Sequence, residues 1–411
     1  MPRHNRRSSL VPIRTFCSVL LATVMSSLTG CQKDATSPSG PEISSDITAA
    51  STGGLIVSLV TIGSAHSCGL TQEGRAYCWG DNFFGQLGDG TKTDRLRPVA
   101  VAGGLLFSSV SAGSGFTCGL TIRQKAYCWG WNVDGMLGDG TTTDRLTPVP
   151  VKGGLLFRQI RPGARHTCGA TTTSIGYCWG SNGFGRLGDG STVPRRLVPT
   201  RVAGSIKFLR VIAGGNHSCG LSTSDKAFCW GYGRQGQIGD GKTYLRYTPR
   251  AVAGGLVFKQ VVPGGTHTCG VTTDDRAYCW GMNDQGQLGL GWGTVATQSL
   301  VPAAVAGGHR FSGVSPASSH TCGVTTQQEM WCWGWNLYGQ LNVDPFFFTK
   351  IPSPIQVPGT FSRVAGGLGD LHTCAVASGG VAYCWGGNFD GQLGDGTITG
   401  RSAPRPVLPP S

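Results

Sequence analysis

Fourteen of the sixteen cysteines in this sequence fall into seven pairs, each with nine residues between its members. The pairs are Cys68 and Cys78, Cys118 and Cys128, Cys168 and Cys178, Cys219 and Cys229, Cys269 and Cys279, Cys322 and Cys332, and Cys374 and Cys384. Thiols spaced this way could do two kinds of chemistry. Placed opposite each other on the arms of a hairpin, they lie within disulfide reach. Placed beside a histidine, they could hold a metal, and His66, His166, His217, His267, His320 and His372 each stand two residues before a first cysteine. Phe116 takes that place in the second copy. Three ligands per copy fall short of the four, or three and a water, that zinc usually takes. The odd loop count, with Glu73 at the midpoint of the first pair, sets the cysteines face to face. The expectation is one disulfide per copy, with the histidine as a satisfied, half-buried structural residue and no metal or cofactor.

A second candidate is GQIGDGKT, with Gly236, Gly241, Lys242 and Thr243 at the spacing of a phosphate-cradling P-loop. Such a loop must follow a strand and open a helix whose N-terminus faces the phosphate. Here YLRYTPRAV follows, which is aromatic and broken by proline. The same glycines recur in copies without lysine, as Gly85, Gly88 and Gly90 or Gly391, Gly394 and Gly396. The motif therefore reads as a turn with positive φ angles, Lys242 being a variable turn residue.

These fragments belong to a repeat. First cysteines follow one another at 50, 50, 51, 50, 53 and 52 residues, and text such as HSCGLTQEGRAYCWGDNFFGQLGDGT returns around each pair. Gly is abundant at 67 residues and charged residues are scarce at 13%, which suits short strands and tight turns. Each unit reads as four strands: an alternating LLFSSVSA, a hairpin of HTCGLT and AYCWG types, and a fourth strand opened by proline. The seven tryptophans Trp79, Trp129, Trp179, Trp230, Trp280, Trp333 and Trp385 read as core. The chemistry-bearing residues thus sit on an all-β, seven-bladed β-propeller of about 50 residues per blade.

The text HTCGL…AYCWGxNxxGQLGDG…P resembles the repeat of the regulator of chromosome condensation family, over roughly residues 55–408. The resemblance implies the seven-bladed fold. Departures are Phe116 for histidine, Gly233 for asparagine, GLGW in the fifth copy and GQLNVD in the sixth.

Residues 1–30 form a separate segment with Arg3, Arg6, Arg7 and Arg14, an apolar FCSVLLATVMSSL stretch, and then LTGC ending at Cys31. This resembles the signal peptide and lipobox of bacterial lipoproteins, which implies cleavage before Cys31, its lipidation and export to the cell envelope, on the periplasmic or extracellular face. Residues 31–54 are polar and read as a tether. No later apolar run approaches the ~20 residues of a membrane span, so membrane attachment is expected through the lipid alone. Residues 1–30 hold four of the 34 basic and none of the 21 acidic residues, which leaves 30 against 21, or +9. No dense Lys/Arg stripe accompanies that charge, so nucleic acid is not the expected partner.

In a repeat protein the positions that vary between copies are free to make function. After each CWG the variable residue is Asp81, Trp131, Ser181, Tyr232, Met282, Trp335 or Gly387, and two more variable positions follow the next residue. Trp131, Tyr232, Met282, Trp335 and Tyr338 are candidates for a partner-binding ring, since interfaces favour such residues. Trp292 and the Pro-bounded Phe346, Phe347 and Phe348 are candidates for an exposed apolar patch. Arg95, Arg145, Arg195 (with Arg196), Arg246, Lys350 and Arg401 form a candidate basic rim. The expected function is a non-catalytic, envelope-anchored module that binds a protein partner, or an anionic glycan, with one face. The family resemblance adds guanine-nucleotide exchange on a small GTPase as an alternative. A cell-wall enzyme is the third reading, and it would need acidic residues converging on the central channel.

Overall fold

The computed structural model describes residues 53–369 and 371–411. Cys31, the signal segment and nearly all of the tether lie outside them.

The first repeat folds into four antiparallel strands, Leu59–Ile62, His66–Leu70, Ala76–Gly80 and Arg95–Ala100, in sequence order across the sheet. Six more repeats do the same, which gives seven blades. The sixth and seventh blades share one long strand, Lys350–Val364. Its first part pairs with Glu329–Trp335 as the outer strand of blade 6, and its last part pairs with His372–Ala377 as the first strand of blade 7.

The ring closes without exchanging a strand. Blade 1 is built from Leu59–Ala100 and blade 7 from the end of that shared strand to Pro406. Closure comes from the segment before blade 1: Leu55 N–H donates to Val407 O at 2.8 Å, and Val57 N–H donates to Gly380 O at 2.8 Å. Gly366–Gly367 also pairs in parallel with Thr61 and Ile62.

The core lies between blades. Leu87, Cys68 and Cys78 of blade 1 pack with Phe107, Val110 and Trp129 of blade 2, all buried. A register shift in every blade brackets its tryptophan, between Cys78 and Gly80 in the first, a bulge that re-aims the side chain. Each indole then donates to a carbonyl of the preceding blade, as Trp129 does to Gln86 at 3.0 Å. Trp79 does so to Gln392 of blade 7 at 2.9 Å, so the same bond runs across the closure. Gly88 lies close against this indole: a Cβ there would stand 2.6 Å from Trp129 Nε1.

All seven cysteine pairs sit directly opposite in register, as Cys68 does to Cys78, and are joined as disulfides with Cα atoms 4.0–4.1 Å apart. The sulfurs that a metal would need are bonded to each other. The recurring histidines are fully buried rather than half-buried, because each reaches across to the next blade.

The GQIGDGKT segment is a turn, with Gly236, Gly239 and Gly241 at φ 83°, 76° and 77°. It leads into the strand Arg246–Ala251. Lys242 is exposed, and its N–H donates to Asp240 Oδ1 at 3.1 Å.

Candidate functional site

The aromatic and basic candidates lie on the loops joining the third and fourth strands, or on the strand ends that flank those loops, which by the repeat share one end of the ring. A buried asparagine fastens each loop from inside. Asn82 Oδ1 accepts from Leu87 N–H at 3.1 Å, and its Nδ2 donates to Asp89 Oδ1 at 3.1 Å and to Thr93 O at 3.1 Å. Asn132 and Asn388 repeat the pattern. Blade 4 dispenses with the asparagine because the Tyr244 carbonyl fills its place: a Cβ on Gly233 would stand 2.2 Å from that oxygen.

With the loop fixed, side chains divide by position. The residue after CWG is half-buried in blades 1 to 6, and in blades 2, 4 and 5 it packs on the preceding blade. Trp131 stacks on Phe84 with ring centroids 5.3 Å apart and lies under the Arg165 guanidinium at 4.9 Å. Tyr232 meets Phe184 edge-on at 5.1 Å. Met282 Sδ accepts from Gln235 Nε2 at 3.2 Å. Trp335 contacts Tyr338, which contacts Phe389 of blade 7 at 5.4 Å. These candidates therefore link neighbouring blades and show only part of their surface.

The residues that project outward are the ones just after the asparagine. Phe83 is 68% exposed and Phe389 60%, with Val133 and Leu337 also exposed. Sequence reasoning marked these positions as variable without choosing them. The signal was their place before the half-buried residue that packs on the next blade. Trp292 is exposed as expected, and so are Phe346, Phe347 and Phe348. Asp344 holds that run in a tight turn, its Oδ1 accepting from Phe346 N–H at 2.9 Å.

The candidate basic rim is largely neutralised. Arg95 donates to Asp89 Oδ2 through Nε and Nη2, at 2.9 and 2.8 Å. Arg145, Arg246 and Arg401 pair in the same way with Asp139, Asp240 and Asp395. In blade 3 the paired residue is Arg196, on Asp189, while Arg195 only approaches Val133 O at 3.4 Å. Burial by itself pushes the Asp89 carboxyl up, but bonds from Thr91 and Arg95 more than offset this and hold it below the usual range. In blade 5, Leu290 and Ser299 replace both members of the pair. In blade 6, Val343 and Ile351 do so, and Lys350 falls one position earlier, opposite Trp335.

Sequence reasoning also missed Arg186, which replaces the usual glutamine in blade 3. It is buried beneath a cavity of about 510 Å³ whose lining includes Asp134, Arg165, Phe184 and Tyr247. Its Nε donates to Gly183 O at 2.9 Å, and burial pulls its pKa down to about 10.

What this arrangement can do is bind. A buried asparagine fastens the loops of blades 1, 2, 6 and 7 from inside, and the outward Phe83, Val133, Leu337 and Phe389 leave much of their surface exposed. The channel on the other side of the blades is lined by first strands that, among the described residues, carry no Asp or Glu. The carboxylates that a cell-wall hydrolase would need there are not among them.

Models of the regulator of chromosome condensation (RCC1) repeat match residues 57–86, 107–135, 211–237, 258–287 and 318–340 in one form, and 73–120, 125–170, 177–221 and 274–324 in another. The ultraviolet-B receptor UVR8 of Arabidopsis thaliana is 31% identical over 51% of this chain and 48% of its own length. A Danio rerio RCC2 homolog is 36% identical over 20% of this chain and 17% of its own. The chain thus spans at most about half the length of these curated relatives. Among solved structures, human WBSCR16 superposes with a TM-score of 0.73 at 22% identity, covering 82% of this chain and 95% of that one. Prp20p from Saccharomyces cerevisiae, described with its binding to Gsp1p and histones, gives 0.73 at 20% identity, covering 83% and 87%. Together these matches cover residues 57–170, 177–237 and 258–340, more than half of the sequence, and the chain belongs to the regulator of chromosome condensation repeat family.

Proposed function

We propose that this protein is a non-catalytic binding module that presents its strand 3–4 loop face to a protein partner. The observation that carries this reading is the run of outward apolar side chains on successive blades, Leu337, Phe389, Phe83 and Val133, set on loops that a buried asparagine fastens from inside. Exposed aromatic anchors on a rigid frame bind with little entropic cost. The Phe346–Phe348 turn and Trp292 extend the same face at blades 6 and 5. Prp20p, which shares the fold, binds proteins, in keeping with a protein partner. Nucleotide exchange rests on family kinship alone.

The module is further proposed to be exported and lipid-anchored through Cys31. Seven buried disulfides suit an oxidising compartment, as does the LTGC sequence. Labelling cells with a fatty-acid probe tests this: a label lost in Cys31→Ser supports it, and an unlabelled protein with free thiols would overturn it.

For the face itself, crosslinking capture from the native envelope compares the wild type with a Phe83→Ser/Leu337→Ser/Phe389→Ser variant. A partner captured by the first and lost by the folded variant supports the reading. The same partner captured equally by both removes this face as the site.

A further inference from the structure

The first strands of all seven blades line a central cavity of about 710 Å³. Four arginines stand on its lining: Arg158, which donates to Thr172 O at 3.1 Å, and three from different blades, Arg161 from blade 3, Arg210 from blade 4 and Arg363 from blade 7. Arg161 reaches across the channel. Its Nη1 donates to Ser111 Oγ on blade 2 at 3.2 Å and passes Gly366, where a Cβ would stand only 3.1 Å away. Among the described residues, none of the three has a carboxylate partner, and Arg210 and Arg363 have no hydrogen-bond acceptor either. This contrasts with the loop face, where five arginines are each matched to an aspartate. Gln159, also on the lining, gives its Oε1 to Val211 N–H at 3.1 Å and leaves its buried Nε2 donor without a partner. Thus the channel gathers donors and positive charge and, among the described residues on its lining, holds no carboxylate.

Concentrated like charge in a low-dielectric recess is costly unless a counter-charge joins it. Burial pulls the Arg161 pKa down to about 10, and the nearby Arg210 and Arg363 add to the fall. Guanidinium is the group that matches an oxyanion with two parallel hydrogen bonds. We propose that the central channel is a binding site for a small multivalent oxyanion, a molecule with two or more phosphate or carboxylate groups bridged by Arg161, Arg210 and Arg363. The site uses no residue of the loop face, so it stands apart from the partner-binding reading.

Isothermal titration of the full folded protein with inorganic pyrophosphate and, separately, with citrate tests this and tells the two oxyanion types apart. The expected result is saturable binding of at least one, weakened by added sodium chloride and raising the melting temperature. Affinity should fall at least ~10-fold in Arg161→Gln, and similarly in Arg210→Gln/Arg363→Gln, as for loss of a charge-assisted contact. The second variant changes exposed side chains only, so it keeps the test sound if Arg161→Gln folds poorly. Binding of neither anion below about 1 mM, or equal binding by wild type and both variants, would overturn the proposal.

Discussion

The Nε2 atom of His66 in blade 1 lies 2.9 Å from Oγ1 of Thr117 in blade 2, and that hydroxyl donates to the Gln86 carbonyl of blade 1 at 2.9 Å. A hydroxyl has one proton. Since Thr117 spends it on the carbonyl, Nε2 must be the donor and His66 must be the neutral Nε2–H tautomer. The same relay links His166 to Ser218, His217 to Thr268 and His372 to Ser67, the last across the ring closure.

A pH dependence follows. Burial lowers the pKa of His66, His217 and His372 to about 3, while the unfolded chain titrates near 6.5. Between those values the unfolded state binds more protons, so stability is full above about pH 6.5 and is lost as pH falls toward 3. Each histidine contributes up to ~1.4 kcal/mol per pH unit in that window. Blade 2 shows that phenylalanine is tolerated here, because Thr167 keeps its bond to Met136 O at 2.8 Å beside Phe116. His217→Phe should therefore cost about 0.5–1.5 kcal/mol at pH 7.5 and gain on the wild type as pH drops to 4.5. Parallel melting curves at the two pH values would show an unchanged gap if the relay were irrelevant.

The disulfides give a second prediction. Each closes a short loop across one hairpin, so removing one should cost roughly 2–3 kcal/mol in the chain-entropy model. Cys219→Ala/Cys229→Ala should melt at a lower temperature without losing the fold, since six other pairs remain. Alkylation of the denatured, unreduced protein should label none of the fourteen paired cysteines. Full labelling would show that the protein works reduced.

A third prediction concerns Asp89 and Arg95. The carboxylate is nearly inaccessible, whereas the arginine is partly exposed. Removing the arginine strands a buried charge, so Arg95→Ser should cost about 1–3 kcal/mol. Blade 5 carries leucine and serine at the equivalent positions, which indicates that the pair is lost as a unit. The double variant Asp89→Leu/Arg95→Ser should be less destabilised than the sum of the single variants, with a coupling of ~0.5–3 kcal/mol by denaturant titration. Strict additivity would remove the pair as a structural element.

Much of this was legible in the sequence because the repeat samples each position seven times. The cysteine register, the tryptophan core and the turn nature of GQIGDGKT all follow from comparing copies within the chain. The partners of a residue in the next blade were not legible, since they lie about 50 residues away. That is why His66 read as half-buried. Arg95 read as a rim charge for another reason: its partner Asp89 stands only six residues earlier in the same blade, and the loop must fold before the two meet. Arg161, Arg210 and Arg363 escaped notice because they belong to different repeats at two different strand positions, and only ring closure brings them together. The Asn342 departure in blade 6 became clear only from its backbone: at φ 67° it takes the left-handed conformation that Gly88 has at 71°, which asparagine tolerates better than most residues.

The division between half-buried and outward residues yields the last prediction. Trp131 touches Phe84 and Arg165, so Trp131→Ala removes packing between blades 1, 2 and 3 and should lower stability by at least ~1 kcal/mol. Phe389 has one ring neighbour, Tyr338, and presents most of its surface to solvent. Phe389→Ser should therefore stay within about 0.5 kcal/mol of the wild type. Any loss of partner capture by Phe389→Ser then reports on binding, whereas a loss by Trp131→Ala mixes binding with stability. Equal melting temperatures for the two variants would show that the half-buried ring does not bind the blades together. The Trp131, Tyr232 and Trp335 positions would then return as direct contact residues.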